Sequence, residues 1–210
     1  MFYNKNMKIA IDIDKTLFDC KSALYNFIAK LEGAVPIKPS SSPVFLDKEK
    51  NIKARNIFGK IGNPKFYTEI DGAVEFINQL AREGHQITFL SSRPNIRTMN
   101  NVVLTWLEKN KVNYDFVVIN CSNKAKFCQK YGINLLVDDG LNNCIKASNA
   151  GVPSILLDTN GKHENSTAIT QRKNIHHAKN WNTVYKIANK LAEKDSQAKT
   201  ESEYNSAGME

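Results

Sequence analysis

Residues 8–16 of the chain read KIAIDIDKT. Isoleucines alternate with smaller or polar residues, which is the period-2 pattern of a short strand. Side chains two residues apart share one face of a strand, about 6–7 Å apart along it. Asp12 and Asp14 therefore begin on the same face, near the end of the predicted strand. Two carboxylates this close are unfavourable unless a cation lies between them or one of them holds a proton. The stretch indicates either an acidic functional site or a solvated polar turn.

Length and composition place the chain among globular proteins. It has 210 residues, of which 41% are hydrophobic and 24% are charged, as expected for one domain with an elaboration. No apolar run is long enough to span a bilayer, and the N-terminus lacks the apolar segment of a signal peptide. We therefore expect no membrane partner and a cytoplasmic location. The sequence does not indicate an oligomeric state.

The charge is basic but dispersed. The net charge is +8, and residues 193–210 are net acidic, so the rest of the chain is more basic than this total. A basic body favours polyanionic ligands, yet most of the cations are lysines scattered along the chain. We expect a bias toward phosphorylated ligands rather than a nucleic-acid surface. The four cysteines lack metal-binding spacing and indicate buried, reduced thiols.

From residue 71 onward the pattern alternates between helices and strands. Strands are predicted over 87–90, 116–119, 135–137, 154–157 and 175–178, and helices from 71–72 and over 96–109, 123–131, 142–150 and 181–191. A polar loop is expected over 159–173. Alternating strands and helices predict an α/β fold, a doubly wound parallel sheet with helices on both faces.

The segment between the first strand and residue 71 has a different pattern. Residues 20–31 and 46–58 have helical spacing, and no strand pattern occurs over 20–70. This predicts a small helical cap inserted after the first strand. The expected division is a core of 1–18 and 71–194, a cap of 19–70, and a disordered tail of 195–210 that lacks apolar periodicity.

Polar side chains follow four of the predicted strands. They are Asp12 and Asp14, Ser91 and Ser92, Asn120, and Asp138 and Asp139. Ligands of open parallel sheets bind outside the carboxyl ends of the strands. We therefore expect these side chains to converge on one rim. Polar residues commonly end strands, but chance explains one such end more easily than four in this combination.

This order of residues resembles the haloacid dehalogenase (HAD) superfamily of phosphohydrolases. Its four signatures occur here as residues 12–16, Ser91, Lys124 and the Asp138-Asp139 pair, and the match covers about residues 7–158. The predicted helical insertion lies where this superfamily has a helical cap. Within the superfamily, three further stretches are similar to the 5'-nucleotidase group, which includes the 5'(3')-deoxyribonucleotidases: residues 89–94, 135–139 and 180–181.

The resemblance implies roles for individual residues. Asp12 would be the nucleophile that forms an aspartyl-phosphate, and Asp14 the general acid and then base. The implied phosphate-binding residues are Ser91, Ser92, Lys124 and Arg93, with Ser91 favoured over Ser92 and Lys124 over Lys126. The alternative for Arg93 is that it only fixes the loop. The implied ligands of Mg²⁺ are Asp12, the Asp14 carbonyl, Asp138 and Asp139, with Asp139 favoured as the direct ligand of the pair. Lys15 departs from the superfamily, where a small residue is common.

The implied activity is Mg²⁺-dependent hydrolysis of a small phosphorylated substrate, with nucleoside monophosphates favoured. Alternatives are a phosphatase of another small phosphate ester and an enzyme acting on the 3'-phosphate ends of nucleic acid. The basic body allows the nucleic-acid alternative, but no paired aromatic and arginine platform supports it. A non-catalytic phosphate-binding module is more remote, because both early aspartates are present. A signalling receiver domain has its acidic pair first and its lysine last, unlike this chain.

Overall fold

The computed structural model of the chain describes residues 6–19 and 63–207. The predicted cap helices over 20–31 and 46–58 lie outside the described residues. The same holds for Cys20 and for the final residues 208–210 of the predicted tail.

In the described part of the chain, six strands form one parallel sheet. The sheet strands are β1 (Lys8–Asp12), β4 (Gln86–Leu90), β5 (Phe116–Val118), β6 (Leu135–Asp138), β7 (Ser154–Leu157) and β8 (Ile175–Ala178). Their order is β5-β4-β1-β6-β7-β8, and every neighbouring pair is parallel. The chain therefore winds outward from β1 in one direction and then in the other. This confirms the predicted doubly wound α/β sheet.

Helices connect these strands. They are α1 (Ala73–Arg82), α2 (Arg97–Lys109), α3 (Lys124–Tyr131), α4 (Leu141–Asn149), α5 (Thr167–Thr170) and α6 (Trp181–Ala207). The short α5 lies inside the segment 159–173, where the sequence predicts only a loop. None of the helices in the described ranges combines the length and apolar character needed to cross a bilayer.

The central strand β1 is covered on both faces. Ile9 belongs to a core that includes Ile77 of α1 and Val184 of α6. Ala10, on the opposite face, belongs to a second core that includes Cys128 of α3. Because neighbouring residues of β1 enter different cores, the strand position is fixed, and the carboxyl group at its end has a defined location.

A separate two-stranded ribbon follows the first strand. β2 (Phe18–Asp19) pairs antiparallel with β3 (Thr68–Glu69), and residues 20–62 lie between them in sequence. The sequence pattern predicts no strand over 20–70, and this is wrong for β3. Two-residue strands are too short to show a periodic pattern, because their existence depends on the partner strand. A 3₁₀ turn over Pro64–Phe66 leads into β3.

The last helix is longer than its apolar pattern. The sequence predicts a helix over 181–191 and disorder from 195, whereas α6 continues to Ala207. Among the helix residues up to Gln197, whose burial is described, Ala192 is the last buried hydrophobic one. Beyond it the sequence lacks apolar periodicity, and residues with high helix propensity such as Lys, Glu, Gln and Ala favour continuation of the helical backbone.

Three of the four cysteines lie in the described ranges. Cys121, Cys128 and Cys144 are buried and form no disulfide there. Burial raises the pKa of the Cys128 thiol to about 12, and burial also raises the pKa of the Cys144 thiol. These thiols are therefore protonated, as predicted for reduced core cysteines.

Candidate active site

Three neighbouring strands, β4, β1 and β6, bring polar residues to the carboxyl edge of the sheet. Asp12 is the last residue of β1, Asp138 is the last residue of β6, and Ser91 directly follows β4. Asn120 follows the edge strand β5, and it is exposed. The four predicted strand ends therefore lie on one edge, and the three central ones adjoin one another.

An acidic cluster forms at this edge. Among the described residues, Asp12, Asp138 and Asp139 each offer a carboxylate oxygen within 4.8 Å of the others. Asp138 is fully buried and Asp12 is 6% exposed. Carboxylates buried this close together require nearby positive charge or a proton on one of them.

Lys124 supplies positive charge within the cluster. It is the first residue of α3, and its side chain is 5% exposed. Its ammonium contacts the Asp12 carboxylate and donates to Asp138 Oδ2 at 2.7 Å. The side chain of Asn123 caps α3 by accepting a hydrogen bond from the Lys126 amide. The Lys126 side chain itself is exposed, so of the two predicted lysines it is Lys124 that reaches the acidic cluster.

The crowding shifts the protonation of these groups. Burial, together with the Asp138 charge, raises the pKa of Asp12 to about 8, and the opposing effect of Lys124 is smaller. Burial likewise raises the pKa of Asp139. For Lys124, burial lowers the pKa, but the charges of Asp12 and Asp138 together outweigh it, and the net shift is upward. Lys124 is thus an ammonium at every relevant pH, and the acidic cluster favours further positive charge.

This shift predicts a pH dependence of stability. The folded pKa of Asp12 lies above its ordinary value of 3.8, so the folded chain holds a proton that the unfolded chain releases. The stabilising contribution is full below about pH 4 and is lost as the pH rises through about 8. In chelator, wild-type stability should therefore fall relative to Asp12→Asn between pH 5 and pH 9, as measured by urea unfolding. The exposed Asp71→Asn is the control. A wild-type to Asp12→Asn difference that stays constant with pH would contradict this assignment.

Asp138 is oriented by a set of donors. Its Oδ1 accepts from the Gly140 amide at 2.8 Å, and Asn143 Nδ2 lies 3.0 and 3.1 Å from its two oxygens. A Cβ on Gly140 would lie 2.9 Å from Asp138 Oδ1, which explains the glycine. The sequence pattern does not predict Asn143 as a site residue. Its signal is a carboxamide five residues after a strand-ending aspartate, on the first turn of the next helix.

The carboxylate of Asp14 is paired with Arg93, whereas Lys124 contacts the acidic cluster. Its carboxylate accepts from Arg93 Nε at 2.7 Å and contacts a second nitrogen of the same guanidinium. The Asp14 side chain is 31% exposed. Arg93 is predicted as a phosphate ligand, and the structure places two of its nitrogens on Asp14. Ser91 is fully buried and its Oγ accepts from the Arg93 amide at 3.2 Å, whereas Ser92 is exposed.

The turn after β1 is tightly held. Lys15 has a left-handed backbone (φ 60°), and its Nζ lies 3.5 Å from Asp139 Oδ2. Thr16 is buried, with Oγ1 at 3.4 Å from Asp12 Oδ2. Trp181 Nε1 donates to the Thr16 carbonyl at 2.9 Å. The first turn of α6 thereby fixes the loop that presents Asp14.

The doubly wound parallel sheet thus carries an aspartate cluster and a buried lysine at its carboxyl edge. The chain has the α/β fold of the HAD-superfamily hydrolases. A HAD-superfamily hydrolase of subfamily IA from Geobacter sulfurreducens is similar, with a TM-score of 0.55 and 14% identity over 88% of this chain and 97% of that one. A predicted phosphoglycolate phosphatase from Haemophilus somnus has a TM-score of 0.56 and 15% identity, over 87% of this chain and 98% of that one.

A third similar structure was solved with ligands. The D,D-heptose 1.7-bisphosphate phosphatase from B. bronchiseptica, complexed with magnesium and phosphate, has a TM-score of 0.50 and 12% identity. The match covers 86% of this chain and 97% of that one. No protein-family model matches the sequence, and a search of curated proteins finds no match.

Proposed function

We propose that the chain is a Mg²⁺-dependent phosphomonoesterase that acts through an aspartyl-phosphate on Asp12. The observation that carries the proposal is the buried contact of Asp12 with Lys124 beside Asp138 and Asp139. A carboxylate at the end of a central strand, facing a cation and flanked by further carboxylates, suits attack on a phosphoryl group. The HAD-type fold and the phosphatases among its structural neighbours support the same reaction class.

The donor set fits a magnesium ion. Asp12, Asp138 and Asp139 present hard oxygen ligands within 4.8 Å of one another, and Mg²⁺ prefers carboxylates and waters. The Asp14 backbone carbonyl remains the proposed additional ligand, and Asp139 the favoured direct one of its pair. A bound Mg²⁺ would supply positive charge that neutralises the phosphoryl oxygens and favours the ionised form of Asp12.

The reaction needs two proton movements at one residue. In the first step an Asp12 oxygen bonds to phosphorus, and Asp14 gives a proton to the departing alcohol. In the second step Asp14 takes a proton from water as the water attacks phosphorus. The bond between the Asp12 oxygen and phosphorus breaks, which releases inorganic phosphate and restores the Asp12 carboxylate. Lys124 and Ser91 are the proposed ligands of the phosphoryl oxygens. The exposed Ser92 is the alternative to Ser91.

The favoured substrates are nucleoside monophosphates. This finer assignment rests on the resemblance of residues 89–94, 135–139 and 180–181 to the 5'-nucleotidase group and on the basic composition. The test is phosphate release from a panel of 5'- and 3'-nucleotides, sugar phosphates, phosphoglycolate and a 3'-phosphorylated oligonucleotide. Preference for nucleotides supports the proposal. Preference for another small ester, or for the oligonucleotide, replaces only the substrate class. Binding without release would leave a non-catalytic module.

The support of Asp138 gives a prediction about metal affinity. Asn143→Ala removes the amide that donates to both oxygens of Asp138. Loss of such an outer partner typically weakens metal binding by about 10- to 100-fold. We expect a fall within this range for Mg²⁺ or Mn²⁺, measured by titration calorimetry. Asn142→Ala, at the exposed neighbouring position in α4, is the matched control. Equal affinities for the two variants would refute the role of Asn143.

A further inference from the structure

The guanidinium of Arg93 contacts the Asp14 carboxylate through two of its nitrogens. Nε donates to one carboxylate oxygen at 2.7 Å, and a terminal nitrogen contacts the other. The Arg93 side chain is 8% exposed, whereas that of Asp14 is 31% exposed. The two-point contact restricts both the position and the rotation of the carboxylate, which a single contact would not do.

Two aromatic rings hold the guanidinium itself. The carbon at its centre lies 5.2 Å from the ring centroid of Phe18 and 5.3 Å from that of Tyr67. The two rings contact edge to face, with centroids 4.7 Å apart. Trp106 packs on Phe18 and donates from Nε1 to the Tyr67 carbonyl at 2.9 Å. Cation–π contacts with both rings restrict movement of the guanidinium away from its position on Asp14.

The backbone of Arg93 is also fixed. Its amide donates to Ser91 Oγ at 3.2 Å, and its carbonyl accepts from the Asn120 amide at 3.0 Å. Asn120 has a left-handed backbone (φ 65°), which turns the chain after β5 toward this carbonyl. The backbone amide and carbonyl of Arg93 are therefore both hydrogen-bonded at the edge of the sheet that bears Asp12.

We propose that Arg93 is a positioning residue that holds Asp14 in place for proton transfer. The proposal rests on the proposed function and departs from the role of phosphate ligand that the sequence implies for Arg93. Because a guanidinium does not release its proton, Arg93 itself neither gives nor takes a proton in the reaction. Phe18 lies in β2 and Tyr67 directly precedes β3. The two aromatic contacts therefore come from the two segments that flank residues 20–62 in sequence.

The two roles differ in their dependence on the leaving group. Proton donation by Asp14 matters for an alcohol, which is a poor leaving group, and matters little for 4-nitrophenolate. A residue that acts through Asp14 should therefore affect kcat/KM for an alkyl phosphate far more than for an aryl phosphate. A phosphate ligand should affect both equally, because both substrates carry the same phosphoryl group.

The experiment compares Arg93→Met, Arg93→Lys and Arg97→Met. Arg97 is the exposed first residue of α2 and serves as the matched control. The substrates are 4-nitrophenyl phosphate and a nucleoside 5'-monophosphate, and inorganic phosphate is the inhibitor. For Arg93→Met we expect kcat/KM for the nucleotide to fall by about 100-fold, the scale of lost general acid catalysis. The value for the aryl ester and the inhibition constant of phosphate should change by less than about fivefold, because phosphoryl contacts are retained.

The Arg93→Lys variant keeps the charge but loses the two-point contact. It should therefore still show most of the loss in kcat/KM for the nucleotide. In an Asp14→Asn background, Arg93→Met should add no further loss, because the two residues act as one unit. Tyr67→Leu should give a smaller defect with the same leaving-group pattern. Melting temperatures of all variants test whether they are folded.

Equal losses for both substrates with weaker phosphate inhibition would overturn the positioning role and assign Arg93 to the phosphoryl group. Additive losses in the Asp14→Asn background would also overturn it. Failure of the proposed function has a different signature: either the wild-type chain releases no phosphate from either substrate, or Asp12→Asn retains activity whatever the Arg93 variants do.

Discussion

Asp12→Asn is expected to abolish phosphate release while leaving the fold intact. The carboxamide has nearly the shape of the carboxylate but cannot attack phosphorus, and loss of a covalent nucleophile typically costs several orders of magnitude, here about 10⁴-fold or more in kcat. The substitution also removes one of three crowded carboxylates, so it should not destabilise the chain. The measurement is phosphate release at saturating substrate, alongside the melting temperature.

The control for this variant is Asp71→Asn, at an exposed position before α1. It should retain wild-type turnover. If Asp12→Asn kept activity within about tenfold of wild type, the residual reaction could not depend on a covalent nucleophile at this position. The proposed mechanism would then be wrong, whatever the substrate.

Lys124→Met is expected to have the largest effect on stability. It leaves Asp12 and Asp138 buried without the ammonium that contacts both. Removing one partner from a buried ion pair typically costs about 3–5 kcal/mol. In chelator at pH 8 we expect a loss of this size in the free energy of unfolding. Part of it should return at pH 5, where Asp12 is protonated in the folded chain.

Lys126→Met provides the matched control, because Lys126 lies two residues away on α3 with an exposed side chain. An exposed substitution of this kind changes stability by no more than about 0.5 kcal/mol. Millimolar Mg²⁺ should restore stability to Lys124→Met in part, since the cation would bind the carboxylates left behind. Equal unfolding free energies for the two lysine variants would show that the buried contact contributes nothing.

Much of the sheet could be predicted because its strands are short apolar runs separated by helical patterns. Ser154–Leu157 and Ile175–Ala178 have the predicted bounds, and β1 ends at Asp12, within the stretch that predicted it. These elements are set by local periodicity and burial, which the order of residues records directly. The ribbon of β2 and β3 has no periodic pattern in the sequence, because each strand has two residues and depends on a partner about fifty positions away.

The site also has features that the sequence could predict and features that it could not. The strand-ending positions of Asp12, Ser91 and Asp138 could be predicted, since parallel strands bring their carboxyl ends to one edge. The pairing of Arg93 with Asp14 could not, because it joins residues 79 positions apart and depends on the direction of one long side chain. The pairing also depends on two aromatic rings contributed by separate segments of the chain, which local periodicity does not bring together.

The most direct test of the central claim is to trap the phosphorylated chain. Wild-type protein is mixed with a ³²P-labelled substrate and Mg²⁺, quenched in acid within milliseconds and digested. The proposed mechanism predicts label on the peptide that contains Asp12, in an acyl-phosphate linkage that hydroxylamine cleaves, and no label in Asp12→Asn. Steady phosphate release together with label on another residue would contradict it.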